Sequence, residues 1–168
     1  MKNYSFAYGS GTLELPLDEK NVIGELHGNA VAPLSDIRAA LWASLDAPID
    51  SAPLYDRAKA GDTVALVVSD MTRFWMRQDL VIPHLVDYLT ERCGVREEDI
   101  TIVIANGTHI GGDEQELRTL VTDAVYERIK VKNHDCEAKD LVYLGTTPHG
   151  TPVSIDRTAA EADLVVCL

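Results

Sequence analysis

The chain is predicted to be an α/β domain, a mainly parallel sheet with helices on both faces and a β-hairpin added at the N-terminus. Two observations predict the sheet. Thr63-Val64-Ala65-Leu66-Val67-Val68 and Ile100-Thr101-Ile102-Val103-Ile104 are short, nearly continuous β-branched runs, as strands buried on both faces would be. Amphipathic stretches separate these runs, and strand alternating with helix implies parallel pairing. A third observation predicts the hairpin: Tyr4 to Leu17 alternates in polarity around Gly9-Ser10-Gly11.

The other elements follow in order. Val22 to Leu26 would add a strand. Ser35 precedes Asp36-Ile37-Arg38-Ala39-Ala40-Leu41-Trp42, a cap residue followed by helix formers with apolar recurrence at three and four. Asp79 to Arg92 carries Leu80, Val86 and Leu89 among charges, with Gly94 placed to stop a helix. Gly112 to Leu117 opens an acidic helix whose first-turn carboxylates suit the helix dipole. Shorter strands are expected at Ile129 to Val131, Val142 to Leu144 and Asp163 to Cys167. No linker or repeat divides the chain, so residues 1–168 are expected to form a single domain.

Composition narrows the function. With 27 Asp and Glu against 15 Lys and Arg, the net charge is -12, which repels phosphate backbones and anionic lipid surfaces. Nucleic acid and membrane are therefore poor partners, whereas a small anion held at short range by an arginine is not excluded. Cys93, Cys136 and Cys167 are widely separated and odd in number, which suggests neither a CxxC metal site nor a disulfide framework. The N-terminus lacks the apolar run of a signal peptide, so a cytoplasmic location is expected.

Parallel α/β sheets bind ligands beyond the carboxyl ends of their strands. That rule selects Ser69-Asp70-Met71-Thr72-Arg73 and Ala105-Asn106-Gly107-Thr108-His109. In the first segment Arg73 would grip a carboxylate or phosphate in a two-pronged contact, with Asp70 orienting it or a nearby histidine. A helix cap with a surface salt bridge accounts for the same residues. In the second, Gly107 permits an unusual backbone angle and Asn106 and Thr108 bond locally, which would hold His109 as a general base at the sheet's mouth. A polar loop histidine is the plainer account.

Asn133-His134-Asp135 would be a site with the aspartate orienting His134, or a turn that bonds its own backbone, the simpler reading. His84 reads as a half-buried helix residue, and His27 and His149 as turn residues. Neither a histidine metal spacing nor a glycine-rich phosphate fingerprint is present.

Ser69 to Arg73, Ala105 to His109, Asn133-His134-Asp135, Gly150-Thr151-Pro152-Val153 and Ala160-Glu161-Ala162-Asp163-Leu164 together resemble the N-terminal domain of the lactate racemase family, in order and spacing. The resemblance implies an isomerase that inverts the hydroxyl-bearing carbon of a small 2-hydroxy acid by hydride transfer to and from a nickel-pincer nucleotide. A pair of histidines then serves alternately as base and acid. It implies that His109 is one of the pair, and that Asp70, Thr72, Arg73, Asn106, Gly107 and Thr108 bind substrate or cofactor.

The second histidine, the lysine tethering the pincer and the nickel-binding histidine would lie in a C-terminal part beyond Leu168. The chain alone is thus expected to be catalytically incomplete, with no nickel ligand of its own. Family members commonly continue Thr-Arg with Pro and Thr-His with Arg. Phe74-Trp75-Met76 and Ile110 stand there instead, suggesting a bulkier or less polar substrate than lactate. The alternatives are a non-catalytic module for small anions or nucleotides, and a cofactor-free hydrolase or isomerase using Asp70 and His109.

Overall fold

In the computed structural model, which describes residues 1–168, the chain divides into two compact units, Met1–Pro33 and Leu34–Leu168. In the first, β1 (Lys2–Tyr8) and β2 (Gly11–Leu17) pair antiparallel with Tyr8 opposite Gly11, and Gly9 turns the chain at φ +58°. The strand expected at Val22 to Leu26 does not form. Ile23 and Leu26 are fully exposed there, so no apolar face repays the ordering of a third strand.

The second unit begins with α1 (Ile37–Asp46), whose cap is Asp36 rather than Ser35; the Asp36 carboxylate accepts from the Ala39 amide at 2.8 Å. A short α2 (Leu54–Arg57) leads to β3 (Val64–Ser69). The helix expected over Asp79 to Arg92 is shorter. Arg77 sits in the left-handed region at φ +57°, a tight turn spans Gln78–Leu80, and α3 runs only from Ile82 to Asp87. Pro83 sets that start, since it has no N–H and its ring would strike the carbonyl four residues back. The helix then widens into a π-turn over Tyr88–Arg92 and stops at Gly94, φ +74°.

After β4 (Ile100–Ala105), Asp113 caps α4 (Glu114–Val121), followed by α5 (Asp123–Tyr126) and β5 (Lys130–Asn133). Next, β6 (Val142–Thr146) pairs antiparallel with β7 (Pro152–Ile155), a strand hidden in the sequence by its proline. A short α6 (Arg157–Glu161) and β8 (Leu164–Cys167) complete the chain.

Strands β5-β4-β3-β8 form one sheet in that order, parallel throughout. Val64, Leu66 and Val68 of β3 and Ile100, Ile102 and Ile104 of β4 face a core completed by Leu85, Val86, Tyr88, Leu89, Leu117, Val121 and Val125. The intervening residues Val67 and Val103 face the other way, into a groove walled by Ala159 of α6. Both faces therefore carry helices, the first more fully.

Tyr88 ties α1 to this core. It is fully buried, meets Trp42 edge-on at 5.3 Å between ring centroids, and donates its hydroxyl to Asp46 at 2.6 Å. Arg92 grips the same carboxylate through two nitrogens at 3.2 and 3.1 Å. Burial, then the Asp46 carboxylate, pushes the phenol up to about 12. The hydroxyl therefore stays a donor across the working pH range. Tyr88→Phe, which removes the donor while keeping the ring, is expected to cost roughly 1–3 kcal/mol, measured as a lower urea midpoint with an unchanged slope.

Candidate functional site

The parallel register of β3 and β4 builds the site. Ser69 is opposite Ala105, so the residues that follow, Asp70 and Asn106, leave the sheet at the same level and on adjacent strands. Asp70 is only 8% exposed. Its Oδ1 caps the turn Met71–Met76, accepting from the Thr72 amide at 3.2 Å and the Thr72 hydroxyl at 2.6 Å. Its Oδ2 lies 2.5 Å from Nδ1 of His109.

Burial pushes the Asp70 carboxyl up, but the Thr72 hydrogen bond, the His109 hydrogen bond and the imidazole's charge outweigh it, so the group titrates below its ordinary 3.8. An ionised carboxylate can only accept, so the proton in the short bond belongs to His109 Nδ1. In the neutral imidazole that fixes the tautomer and leaves the lone pair on Nε2, which has no partner within the protein and belongs to a side chain 52% exposed.

The remaining residues extend the network. Arg73 donates from Nη1 to the Thr72 hydroxyl at 3.0 Å, and its guanidinium makes no salt bridge to any carboxylate. A path of hydrogen bonds therefore runs from Arg73 through Thr72 and Asp70 to His109. Gly107 takes φ +58°, and the His109 amide donates to the Asn106 carbonyl at 2.9 Å, closing a tight turn. The opening is lined by Ser69, Asp70, Thr72, Arg73 and residues 105–109. Phe74, Trp75, Met76 and Ile110 do not line it; Trp75 and Ile110 are largely exposed instead.

Asn106 is placed differently from the side chains around it. It is buried, and its amide nitrogen donates to Asn133 Oδ1 at 3.0 Å and to the His134 carbonyl at 3.1 Å, serving the scaffold. His134 does not join His109. It lines the groove on the other face of the sheet, with Nδ1 3.7 Å from Asp156, whose carboxylate also pairs with Lys132 at 2.9 Å. Nowhere do three His, Cys, Asp or Glu side chains converge as a metal site.

Sequence reading overlooked Asn133, Gly111 and Gln78. Asn133 was read within a turn bonding itself; Asp135 does make that turn, accepting from the Glu137 amide, while Asn133 reaches residues 106 and 112. Gln78 is buried, and its Oε1 accepts from the Ser69 amide at 3.0 Å, fixing the end of β3. No local pattern announces contacts of this kind.

The histidine–aspartate pair and the arginine without a carboxylate partner thus stand at the carboxyl ends of adjacent parallel strands, the edge at which α/β domains of this class bind their ligands. The family model described as lactate racemase N-terminal domain matches residues 8–168, and the chain belongs to that family. It is 26% identical over 169 residues to a lactate racemase of Thermoanaerobacterium thermosaccharolyticum, covering 99% of this chain and 39% of that protein. It is 27% identical over 163 residues to a lactate racemase of Lactiplantibacillus plantarum, covering 95% of this chain and 38% of that one. The solved lactate racemase apoprotein of T. thermosaccharolyticum superimposes with a TM-score of 0.83 at 26% identity, over 99% of this chain and 38% of its own. The chain thus spans about two fifths of the relatives it matches.

Since the folded Asp70 value lies below the unfolded one, the pair's contribution to stability is complete above pH 3.8 and is lost as pH falls through the folded value. The carboxyl carbon of Asp70, followed by NMR, is expected to titrate below 3.8, and Thr72→Val is expected to move that midpoint up.

Proposed function

We propose that this chain carries the substrate-side acid–base group and anion anchor of a 2-hydroxy-acid racemase or epimerase, and is catalytically incomplete by itself. The observation that carries the proposal is the His109–Asp70 pair, which presents Nε2 of a fixed tautomer beside a guanidinium with no carboxylate partner. A 2-hydroxy acid has the two matching handles. Its carboxylate suits the guanidinium fork of Arg73, and its hydroxyl proton is what a base must take before the carbon can be oxidised. Names of the relatives support the same reaction, for a protein of their length.

His109 accepts the hydroxyl proton at Nε2 and later returns it. Asp70 stabilises the imidazolium formed between those events, and Thr72 holds Asp70 in place. Arg73 prevents the substrate from sliding along the opening. Proton transfer at the hydroxyl alone does not invert the carbon that bears it, whose own hydrogen must leave and return; a nickel-pincer nucleotide, when bound, would supply the hydride acceptor and donor. Within this chain Thr108 would meet the anionic parts of such a group, as would Arg73 if it held the group in place of the substrate, and its tether and nickel ligand would come from other residues of a family-length protein.

In a family-length protein carrying this sequence, His109→Ala is expected to lower racemase turnover by at least about tenfold, and within roughly the 10²–10⁴-fold that a positioned acid–base group contributes. An unchanged rate overturns the role. The unpaired guanidinium of Arg73 also favours a second reading, in which the chain alone is a binding module. Calorimetry of the 168-residue chain with lactate and with a nicotinic acid dinucleotide is expected, on that reading, to give heat that Arg73→Ala abolishes. No heat with either ligand rejects it.

A further inference from the structure

We infer that Asn133 is the positioning residue of the His109 loop, and that residue 111 is glycine because the Asn133 amide occupies the space a side chain would need. The inference rests on His109 being the base proposed above. The loop leaves β4 at Asn106 and enters α4 at its cap, Asp113. Asn133, the last residue of β5, grips both ends of it. Oδ1 accepts from Asn106 Nδ2 at 3.0 Å and from the Gly112 amide at 3.2 Å, while Nδ2 donates to the Gly112 carbonyl at 2.8 Å.

Gly112 is thus bonded through both its N–H and its C=O, as a neighbouring strand would bond it. A Cβ built on Gly111 would lie 2.8 Å from Asn133 Cγ, closer than real Cβ atoms come, and 3.0 Å from Nδ2. The backbone at 111 therefore passes directly over the amide. The lever to the base is short: the His109 amide is bonded to the Asn106 carbonyl, and the Asn106 side chain is bonded to Asn133.

Asp70 fixes the tip of the imidazole, whereas Asn133 fixes the loop that carries its Cα. A 2.5 Å contact between groups on the segments that follow two different strands draws on both. Nothing in Asn133 faces the opening, so it acts through His109 and does not touch substrate.

Two variants disturb the clamp from opposite sides. Asn133→Ala removes the amide, and Gly111→Ala leaves it in place but displaces it; either one gives a reading should the other fail to fold. The short Nδ1–H bond is expected to give a proton resonance far downfield of the amide region, assigned by its loss in Asp70→Asn. In both clamp variants that resonance is expected to vanish or move upfield. In the family-length protein, kcat is expected to fall by about tenfold or more, with KM for the 2-hydroxy acid changed by less than about threefold. A merely structural role would lower the melting temperature and scale activity with the folded fraction while leaving the resonance unmoved. A resonance unmoved in both variants overturns the inference. If the racemase reading itself is wrong, the unaltered protein shows no turnover, and the resonance still decides whether the clamp positions His109.

Discussion

The site depends on one carboxylate serving two elements. Asp70 gives one oxygen to the turn that follows β3 and the other to the histidine that follows β4. The bonds to Thr72 are local, but the bond to His109 would not be available if the strands were out of register by a residue, since the level at which Asp70 and Asn106 emerge is set by the pairing of Ser69 with Ala105. Burying a carboxylate is costly unless it is paired and bonded. Here burial raises the carboxyl and its partners more than offset it, so the ion survives at the edge of an apolar sheet. Charge stays where it orients a histidine.

The same device appears a second time. Asp156 caps α6 through the Thr158 amide, two residues on, as Asp70 accepts from the Thr72 amide. Burial pushes the Asp156 carboxyl up, and Lys132 with the Thr158 amide bring it below the ordinary range. The outcome differs because the neighbours differ. At Asp156 a lysine neutralises the carboxylate, and His134 stands off at 3.7 Å. At Asp70 no lysine or arginine pairs directly, so the histidine takes the free oxygen.

Much of the architecture was legible because it is written in short-range patterns. The two branched-apolar runs became adjacent central strands, and the alternation around Gly9 became the hairpin. Asp70, Thr72, Arg73 and residues 106–109 were found by the rule that strand ends carry sites, which needs only the strand positions. The Pro83 break was legible in principle, and the amphipathic spacing of Leu80, Val86 and Leu89 masked it. What was not legible is what depends on register. Asn133 lies 27 residues from Asn106 and 21 from Gly112, and nothing local distinguishes it from an asparagine in a turn. The pairing of Asp70 with His109 spans 39 residues and was foreseeable only as one of several partners for the aspartate.

The apolar residues at 74–76 and 110, expected to reshape the substrate pocket, instead lie outside the lining of the opening. The reactive side chains that line it are polar: a carboxylate, hydroxyls, a guanidinium and an imidazole. With the imidazole half exposed, water would compete with a substrate hydroxyl for Nε2, and a hydride moving near that opening would meet water as well. Under the proposed reading the catalytic centre therefore needs a cover that these residues do not supply. Trp75 at 76% exposure and Ile110 at 97%, each within a few residues of the Asp70–His109 pair in sequence, stand in solvent and leave the opening uncovered.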